Sequence, residues 1–360
     1  MSRVTLGEVC REYKGRAEAA EGLPVVGLEH LSQSDIDLVG CSHEATTFTK
    51  AFRKGHVLFG RRRAYLKKAS LAPFDGVCSG DIIVIEAIEG RLLPRLLPFV
   101  IQNDYLFDFA VENSAGSLSP RVKWKDLSRF EFELPSMEKQ HELADLLWAA
   151  QEAKRAYSRL VSACDEIVKS RFVEMFGDPE NNPHGYPVAR LGRLLLIERG
   201  GSPRPISQYI TDQPDGVNWI KIGDAAEGSI YIERTAEKIR PSGTKKSRHV
   251  LPGDFLLSNS ISFGRPYILK IEGYIHDGWL VLRDNDGVFD KMYLHALLSS
   301  PYAMREFQKS ASGTTVKNLN KEIVGKLEAV VPPIDAQHEF AAFVRQVDKS
   351  ELFDEMAVAA

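Results

Sequence analysis

The residues with the clearest chemical potential in this chain are basic. Between residues 50 and 68 there are eight lysines and arginines and no acid, and three aromatic residues are interleaved with them. Arginine can bind guanine through two hydrogen bonds, whereas lysine mainly neutralises phosphate. The run indicates a polyanion-binding face, although most charge runs are only solvated surface. The eight basic residues are Lys50, Arg53, Lys54, Arg61, Arg62, Arg63, Lys67 and Lys68.

Smaller basic and polar groups lie elsewhere in the chain. Basic residues flank Trp124, and residues 234–248 contain six basic residues and one acid. Short loops rich in Ser, Thr and Asn follow, and asparagine can read adenine but is also an ordinary turn former. We read the loop Glu198–Pro205 as a turn. The DNA-contact candidates from these regions are Arg121, Lys123, Lys245, Lys246, Arg248, Asn259, Arg265, Lys317 and Asn318.

Catalytic patterns are weak. The chain has no GxxxxGK[ST], GxSxG or HExxH motif, and its nine histidines lack metal-ligand spacing. The stretch NNPHGYP (residues 181–187) resembles a methyltransferase motif only superficially and is a linker. Asp81 with Glu86, or Asp215 near Lys221, could be forced into a metal-nuclease pattern, but paired acids near strands are common. We therefore expect no catalytic residue, metal or cofactor in this chain.

Composition indicates a globular protein of more than one domain. The 360 residues are 44% apolar and 26% charged, with a formal net charge of −3, so that any polyanion-binding surface must be local. Four cysteines without a CxxC pair argue against a zinc ribbon or a disulfide framework. No stretch approaches the roughly 18 apolar residues of a membrane span, and no signal peptide is evident at the N-terminus. We expect cytoplasmic residence.

The chain contains an internal repeat. Residues 116–142 (GSLSPRVKWKDLSRFEFELPSMEKQHE) and 313–339 (GTTVKNLNKEIVGKLEAVVPPIDAQHE) align without a gap and share six of 27 positions. Three further pairs of segments follow the same order: VVGLEH with WIKIGD, FGR with FGR, and SGDIIVIEA with DGWLVLRDN. A shared order of four blocks favours two copies of a domain, at roughly 1–135 and 185–333, with a period typical of duplication.

A long helix is predicted between the copies. Residues 137–176 have no Pro or Gly, and their apolar residues recur with a period near 3.5. They predict a helix of roughly 60 Å that Ser136 caps and Gly177 ends. An ordinary core helix is the alternative. A second amphipathic segment, 335–356, suits an antiparallel partner, so the repeated PxxxxQHE pattern is interpreted as a domain–helix junction that docks in the same way twice.

The assembled motifs resemble the specificity subunit of Type I restriction-modification systems. The resemblance is strongest in KSRFVEMFGDPENNPHGYPVARLG (residues 169–192) and extends through WIKIGD, PGDFLLSNS, SFGRPYI and GTTVKNLNKEIVGKLEAVVPPIDAQHE. The first half is similar in order but looser in wording. The resemblance implies an α+β fold with two target-recognition domains in a pseudo-twofold arrangement, separated by long antiparallel, coiled-coil-like helices. The implied domains are 1–135, a spacer helix at 136–178, 179–333, and a short second helix at 334–360.

The same resemblance implies a function without catalysis. Each domain would read half of a bipartite double-stranded DNA target, and the helices would dock two methyltransferase subunits, which the translocating and cleaving subunits join. Adenine methylation with S-adenosylmethionine would belong to the partners, and the spacer would set the gap between half-sites. The second helix is short for this family, as expected of either a truncated chain or a naturally short member. The competing hypotheses are a stand-alone DNA methyltransferase or nuclease, and a scaffold whose basic patches bind acidic proteins.

Overall fold

The fold was examined in a computed structural model that describes residues 2–18, 22–226, 228–259, 263–310 and 318–347. The chain divides into two compact units, Met1–Tyr157 and Ser158–Ala360, and each is considered by itself. Both contain helices and mainly antiparallel sheets, which confirms the predicted α+β class. Among the described residues, no helix has the length and apolar character that crossing a membrane requires.

The first unit has these elements in chain order. Its strands β1 to β9 are Ser2–Thr5, Cys10–Glu12, Val25–Val26, Lys50–Phe52, Val57–Gly60, Ala69–Leu71, Gly76–Cys78, Ile82–Ala87 and Glu131–Leu134. Its helices α1 to α4 are Leu6–Val9, Leu97–Ile101, Asp104–Glu112 and Trp124–Leu127. Helix α5, Met137–Phe176, begins in this unit and ends in the second.

A sheet with both faces buried organises the first unit. Its order is β2-β8-β5-β6, and a smaller sheet, β3-β7-β4, packs on one face. Along β5, Val57 and Phe59 point into a cluster with helices α2 and α3, whereas Leu58 points into the cluster shared with the smaller sheet. Because alternate residues of a strand face opposite sides, a sheet covered on both faces requires a continuous aliphatic run such as IIVI in β8.

The second unit repeats this arrangement with longer sheets. Its strands β10 to β20 are Val188–Arg190, Leu196–Arg199, Val217–Ile220, Tyr231–Ile232, Glu237–Ile239, Arg248–Val250, Phe255–Ser258, Pro266–Leu269, Gly273–Ile275, Trp279–Arg283 and Glu328–Val330. Its helices α6 to α10 are Leu191–Leu194, Lys291–Ser299, Pro301–Ser310, Lys321–Lys326 and Ile334–Gln346.

The sheet orders confirm the duplication predicted from the sequence. The central order β11-β19-β16-β17 corresponds to β2-β8-β5-β6, and β12-β18-β15 corresponds to β3-β7-β4 with the same strand directions. The VVGLEH and WIKIGD segments also match, because each leads from a strand into a 3-10 turn. In these turns His30 Nδ1 accepts from Gly27 N at 3.0 Å, and the Asp224 carboxylate accepts from Lys221 N at 2.7 Å.

The predicted correspondence between the two FGR triplets is wrong. Gly60 pairs with Ile82 in one ladder, and Ser258 pairs with Trp279 in the other, so the residue after each strand is Arg61 in the first unit and Asn259 in the second. The second triplet lies instead in the segment that leads into β17. The sequence FGR is compatible with either a strand end or a turn. Only the pairing register of the strands distinguishes the two.

The long helix has the predicted bounds. Helix α5 runs from Met137 to Phe176, and Gly177 follows in the left-handed region at φ 74° while its N–H bonds to Val173. In the second unit its last turns pack against α10, with ring centroids 5.7 Å apart for Phe172 and Phe340. The part of the predicted second helix beyond residue 347 lies outside the described residues, so pairing along the whole length of α5 stays a prediction.

The repeated QHE pattern has a structural cause in its glutamine. Gln140 is 1% exposed; its Oε1 accepts from Leu93 N at 2.8 Å and its Nε2 donates to Pro135 O at 3.1 Å. Gln337 is 0% exposed and makes the same pair of bonds, from Asp290 N at 2.9 Å and to Pro332 O at 2.9 Å. The interpretation of a domain–helix junction that is built twice is confirmed.

Candidate nucleic-acid interface

Three segments of the first unit meet at the end of β5. Arg61 N donates to Asp81 O at 3.0 Å, Val122 N donates to Arg61 O at 3.0 Å, and Arg63 N donates to Pro120 O at 2.8 Å. The basic run 50–68 and the basic group around Trp124, which lie about sixty residues apart in the sequence, are therefore neighbours in the fold. We call the segments 61–63, 79–81 and 119–122 the first loop junction.

One carboxylate organises the charges of the first loop junction. Asp81 accepts two hydrogen bonds from Arg121, at 2.7 Å from Nε and 3.2 Å from Nη2, and lies 3.5 Å from Arg62 Nη1. The Arg121 hydrogen bond is the main reason that the pKa of Asp81 is held below its usual value. Arg61 and Arg63 add two guanidinium groups on the same segments, so positive charge is in excess there.

Backbone conformation presents part of this excess charge to solvent. Arg63 is exposed and lies in the left-handed region at φ 54°, and Lys67 follows at φ 50°, so that they bracket a 3-10 turn at Ala64–Leu66. Residues other than glycine adopt this region uncommonly, and such turns tend to mark functional loops. Arg62 and Arg121 are 40% and 44% exposed. Their guanidinium groups can therefore be reached from outside while they remain held by Asp81.

Other members of the 50–68 run are held by the protein itself. Lys67 Nζ lies 2.6 Å from Asp104 and 3.6 Å from Asp108, and Lys68 Nζ donates to Leu28 O at 2.9 Å. The geometry therefore does not support one uniform basic patch, because local partners already occupy these ammonium groups. Sequence spacing missed this because the acids lie on α3. Arg53, which lies 5.8 Å above the Tyr13 ring, and the exposed Lys54 and Lys123 stay predictions.

Two further DNA-contact candidates each form an ion pair with a glutamate, at corresponding positions of the two units. Lys50 on β4 lies 3.3 Å from Glu12 on β2, and Arg248 on β15 lies 3.1 Å from Glu198 on β11. The strands correspond between the copies, so each pair connects the smaller sheet to the central sheet. Lys50 and Arg248 thus have partners within the protein, and their contact with DNA stays a prediction.

The second unit contains a junction equivalent to the first. Leu319 N donates to Asn259 O at 2.9 Å, which repeats the bond between Val122 and Arg61, and Asn259 N donates to Gly278 O at 2.9 Å in the turn before β19, as Arg61 N does to Asp81 O. Asn259 is 2% exposed and its amide donates to Asp277 O at 2.7 Å, so the base-reading role predicted for this side chain is opposed by its burial. The segments around 201–204, 259, 276–278 and 318–319 are called the second loop junction.

A carboxylate also holds an arginine in the second loop junction. Asp277 accepts from Ser202 Oγ at 2.7 Å and lies 3.4 Å from Nη2 of Arg204. The Ser202 hydrogen bond is the main cause of the lowered pKa of Asp277. The sequence reading of Glu198–Pro205 as a turn missed Arg204; a single arginine in a Gly/Pro loop was the available signal. The loop packs against the turn that carries Lys245 and Lys246, because a Cβ on Gly201 would lie 2.1 Å from Lys246 O.

Most of the remaining DNA-contact candidates of the second unit are exposed. Lys245, Lys246, Arg265 and Asn318 are exposed, and the Arg265 backbone N donates to Ser258 Oγ at 2.9 Å. Lys317 lies outside the described residues. These side chains keep their predicted role as an expectation, because exposure permits contact with DNA but does not demonstrate it.

The acids considered for a metal nuclease serve other partners. Glu86 lies 2.7 Å from Arg11 and 3.5 Å from His56, whereas Asp81 binds Arg121. Within the part of the chain that the structure describes, no group of three or more His, Cys, Asp or Glu side chains could hold a metal ion.

Known proteins resemble this chain as follows. Residues 183–354 match the family model described as the Type I restriction modification DNA specificity domain. The Type I restriction enzyme EcoDI specificity subunit of Escherichia coli is 30% identical over 206 residues, which span 56% of this chain and 39% of that protein. This match thus spans about two fifths of the relative's length.

Among solved structures, the Type I restriction-modification S subunit of M. genitalium has a TM-score of 0.55 at 12% identity, covering 99% of this chain and 92% of its own. The HsdS subunit of Thermoanaerobacter tengcongensis has a TM-score of 0.41 at 21% identity, covering 99% and 91%. At 12% identity, the likeness to the M. genitalium subunit shows a similar fold and nothing more.

Proposed function

We propose that this chain is the DNA-recognition subunit of a Type I restriction-modification complex, a proposal supported by the match of residues 183–354 to that family's DNA specificity domain and by the likeness to the EcoDI specificity subunit. Each unit reads one half of a bipartite site in double-stranded DNA. The subunit itself catalyses nothing; adenine methylation and ATP-driven cleavage belong to partner subunits. This assignment places the protein in the cytoplasm with its DNA.

The observation that carries this proposal is the duplicated loop junction. The hydrogen bonds from Val122 to Arg61 and from Leu319 to Asn259 join the same two segments in both units, and those from Arg61 N to Asp81 O and from Asn259 N to Gly278 O add the turn before the next strand of the sheet. The side chains on those segments differ: the first junction carries a surplus of arginines, and the second carries Arg204 beside a buried asparagine. A shared scaffold with different polar groups is what reading two different half-sites requires, because base edges differ in their donors and acceptors.

The long helix supports a role in assembly. Leu146, Leu160 and Ile167 on α5 are 67%, 47% and 50% exposed, and their numbers differ by multiples of seven. A heptad spacing places such side chains along one side of a helix, as in seams that bind a further helix. We assign this side of α5 to methyltransferase subunits, two in the complete complex, with restriction subunits joining that core.

The test is co-expression of the chain with its neighbouring genes, followed by purification of the complex and mapping of methylated adenines in host DNA. The expected result is a methylated motif of two short half-sites around a fixed unspecific gap. The isolated chain should bind that duplex and transfer no methyl group. Absence of both a partner subunit and a split motif would refute the proposal, and methyl transfer by the purified chain alone would favour a stand-alone methyltransferase.

A further inference from the structure

The clearest unexplained geometry in the molecule is a carboxylate that holds an exposed arginine at each loop junction. Asp81 is fixed on three sides: its N–H donates to Ser79 Oγ at 3.2 Å, its carbonyl accepts from Arg61 N, and its carboxylate receives two bonds from Arg121. Asp81 is 21% exposed while Arg121 is 44% exposed. Asp81 is thus fixed in the turn before β8, and the Arg121 guanidinium is the more exposed of the two groups.

We propose that Asp81 is a positioning residue that holds Arg121 ready to bind a guanine base in one half-site, and that Asp277 does the same for Arg204 in the other. This inference rests on the proposed function and deepens it by naming residues that determine specificity. The acids contact no base themselves; they act through the arginines.

The hydrogen-bond capacity of Arg121 allows both roles at once. A guanidinium group has five N–H donors in a planar fork. Asp81 engages Nε and one N–H of Nη2, so three donors remain for a ligand. A two-bond contact to O6 and N7 of guanine needs two of them. The bond to Asp81 also orders a long, flexible side chain before DNA arrives, which lowers the entropic cost of binding.

The charge of Asp81 further favours base contact over phosphate contact. An unpaired arginine on a loop binds any phosphate and adds affinity without specificity. A carboxylate within 3.2 Å of the guanidinium repels the phosphate backbone and is compatible with the uncharged edge of guanine. The surrounding guanidiniums of Arg61, Arg62 and Arg63 remain to neutralise the backbone beside it.

The second unit contains the same device at the corresponding turn. Asp277 lies in the turn before β19, one residue further from its strand than Asp81 is from β8, because Gly278 makes the bond to Asn259 N that corresponds to the bond of Asp81 to Arg61 N. Ser202 anchors Asp277 at 2.7 Å. Arg204 Nη2 lies 3.4 Å from the carboxylate, and the arginine is 81% exposed. Arg121 comes from the segment before α4, whereas Arg204 comes from the loop after β11. Both the carboxylate and the arginine thus come from different positions in the two units, so the pair in the second unit is not a copy of one ion pair inherited by duplication.

The experiment uses the complete complex, with motif mapping by sequencing of methylated adenines and competition binding of duplexes that differ at one base pair. The variants are Asp81→Asn and Arg121→Lys in one unit, and Asp277→Asn and Arg204→Lys in the other. Lysine keeps the charge but lacks the fork needed for two parallel bonds. Glu133→Gln, at an exposed position of strand β9, is the control for loss of one negative charge.

We expect Asp81→Asn and Arg121→Lys each to lower the preference for guanine at one position of one half-site roughly ten-fold or more. The other half-site should stay unchanged, and random-sequence DNA should bind equally or more tightly with Asp81→Asn. The second pair of variants should relax the other half-site. The control should match the parent.

The inference is overturned if both variants of a unit retain full base preference while the melting temperature falls, since the pair is then structural only. It is also overturned if the position that relaxes is not a guanine. Should Asp81→Asn fail to fold, Arg121→Lys still decides the question, because it retains the Asp81 partner. Failure of the proposed function has a separate signature, since the unmodified complex would then give no split motif.

Discussion

The three consecutive arginines after β5 differ from Lys67 in how far the protein neutralises them. Arg62 shares Asp81 with Arg121, and Arg63 is exposed, whereas Lys67 lies between Asp104 and Asp108. Changing Arg61, Arg62 and Arg63 together to Ala should weaken DNA binding and lower the salt slope by about one unit for each phosphate that is no longer neutralised. Fluorescence anisotropy over a salt series measures both quantities.

Lys67→Ala is the matched control for that experiment, because it removes a positive charge from the same run. Its charge is already paired with two acids, so its effect on affinity and slope should be much smaller. Equal effects of Lys67→Ala and a single Arg63→Ala would contradict the division of the run into free and paired charges.

We expect His276 to make the second loop junction sensitive to acid. Its Nδ1 accepts from Gly278 N at 2.6 Å, and burial is the main cause of its lowered pKa. Because the folded protein favours the neutral ring, the resulting stability is complete above the ordinary pKa of 6.5 and is lost as the pH falls below it. The free energy of unfolding should therefore decrease between pH 7.5 and 5.5, with part of the decrease due to this side chain.

Chemical denaturation of the parent and of His276→Asn at both pH values tests this assignment. The variant should be less stable than the parent at pH 7.5 but should lose less stability on acidification. His249→Asn is the control, because that ring is exposed and next to Glu272. Parallel pH profiles for the parent and His276→Asn would show that other groups cause the acid sensitivity.

At the scale of elements, the glutamine of the repeated QHE pattern contributes more to stability than the histidine beside it. Gln140 and Gln337 are buried and bond to backbone groups on both sides of the helix start, whereas His141 and His338 are exposed. Gln337→Ala should lower the free energy of unfolding by about 1–3 kcal/mol, since it leaves buried backbone groups without partners.

His338→Ala, one residue further on, should change stability by less than about 0.5 kcal/mol. Urea titration of the two variants compares neighbouring positions of the same helix. A similar loss at both would mean that the helix start, rather than the glutamine bonds, determines the effect.

Close contact between α6 and α9 gives a second prediction at this scale. A Cβ on Gly192 would lie 3.1 Å from Gly325 Cα and 3.2 Å from its carbonyl oxygen, and backbone atoms cannot turn aside as a side chain can. Gly192→Ala should destabilise the second unit by about 1–3 kcal/mol. Gly223→Ala is the control, because a Cβ there meets nothing within 4 Å. Thermal unfolding of both variants tests the contact, and an unchanged transition in Gly192→Ala would contradict it.

How much of the structure could be predicted from the sequence is also best seen at the scale of elements. The bounds of α5 followed from the sequence because helix periodicity and the positions of Ser136 and Gly177 are local. The duplication followed because its blocks keep their order. The counterpart of Arg61 in the second unit could not be predicted in this way, since strand register is set by pairing with a strand that is distant in the sequence. The ion pair of Lys50 with Glu12 and that of Lys67 with Asp104 were missed for the same reason: charge runs show composition, whereas pairing depends on residues dozens of positions away.

For the whole molecule, the decisive feature is that each unit has its own core. In the described residues, the clusters of the first unit draw on residues up to Trp148, and those of the second begin at Val168. Between them α5 is largely exposed, with Leu160 47% and Ile167 50% accessible. Substitutions in the two cores should therefore have nearly independent effects on stability, because effects at sites that share no partners are additive.

Hydrogen exchange followed by mass spectrometry tests this independence with the junction glutamines. Gln337→Ala should speed exchange in β16 and β19 and leave β5 and β8 unchanged, and Gln140→Ala should do the reverse. The double variant should show the sum of the two patterns. If either single substitution instead accelerates exchange equally in both central sheets, α5 couples the units into one cooperative structure. A disturbance at one loop junction would then also reach the other, and the two could not be altered separately.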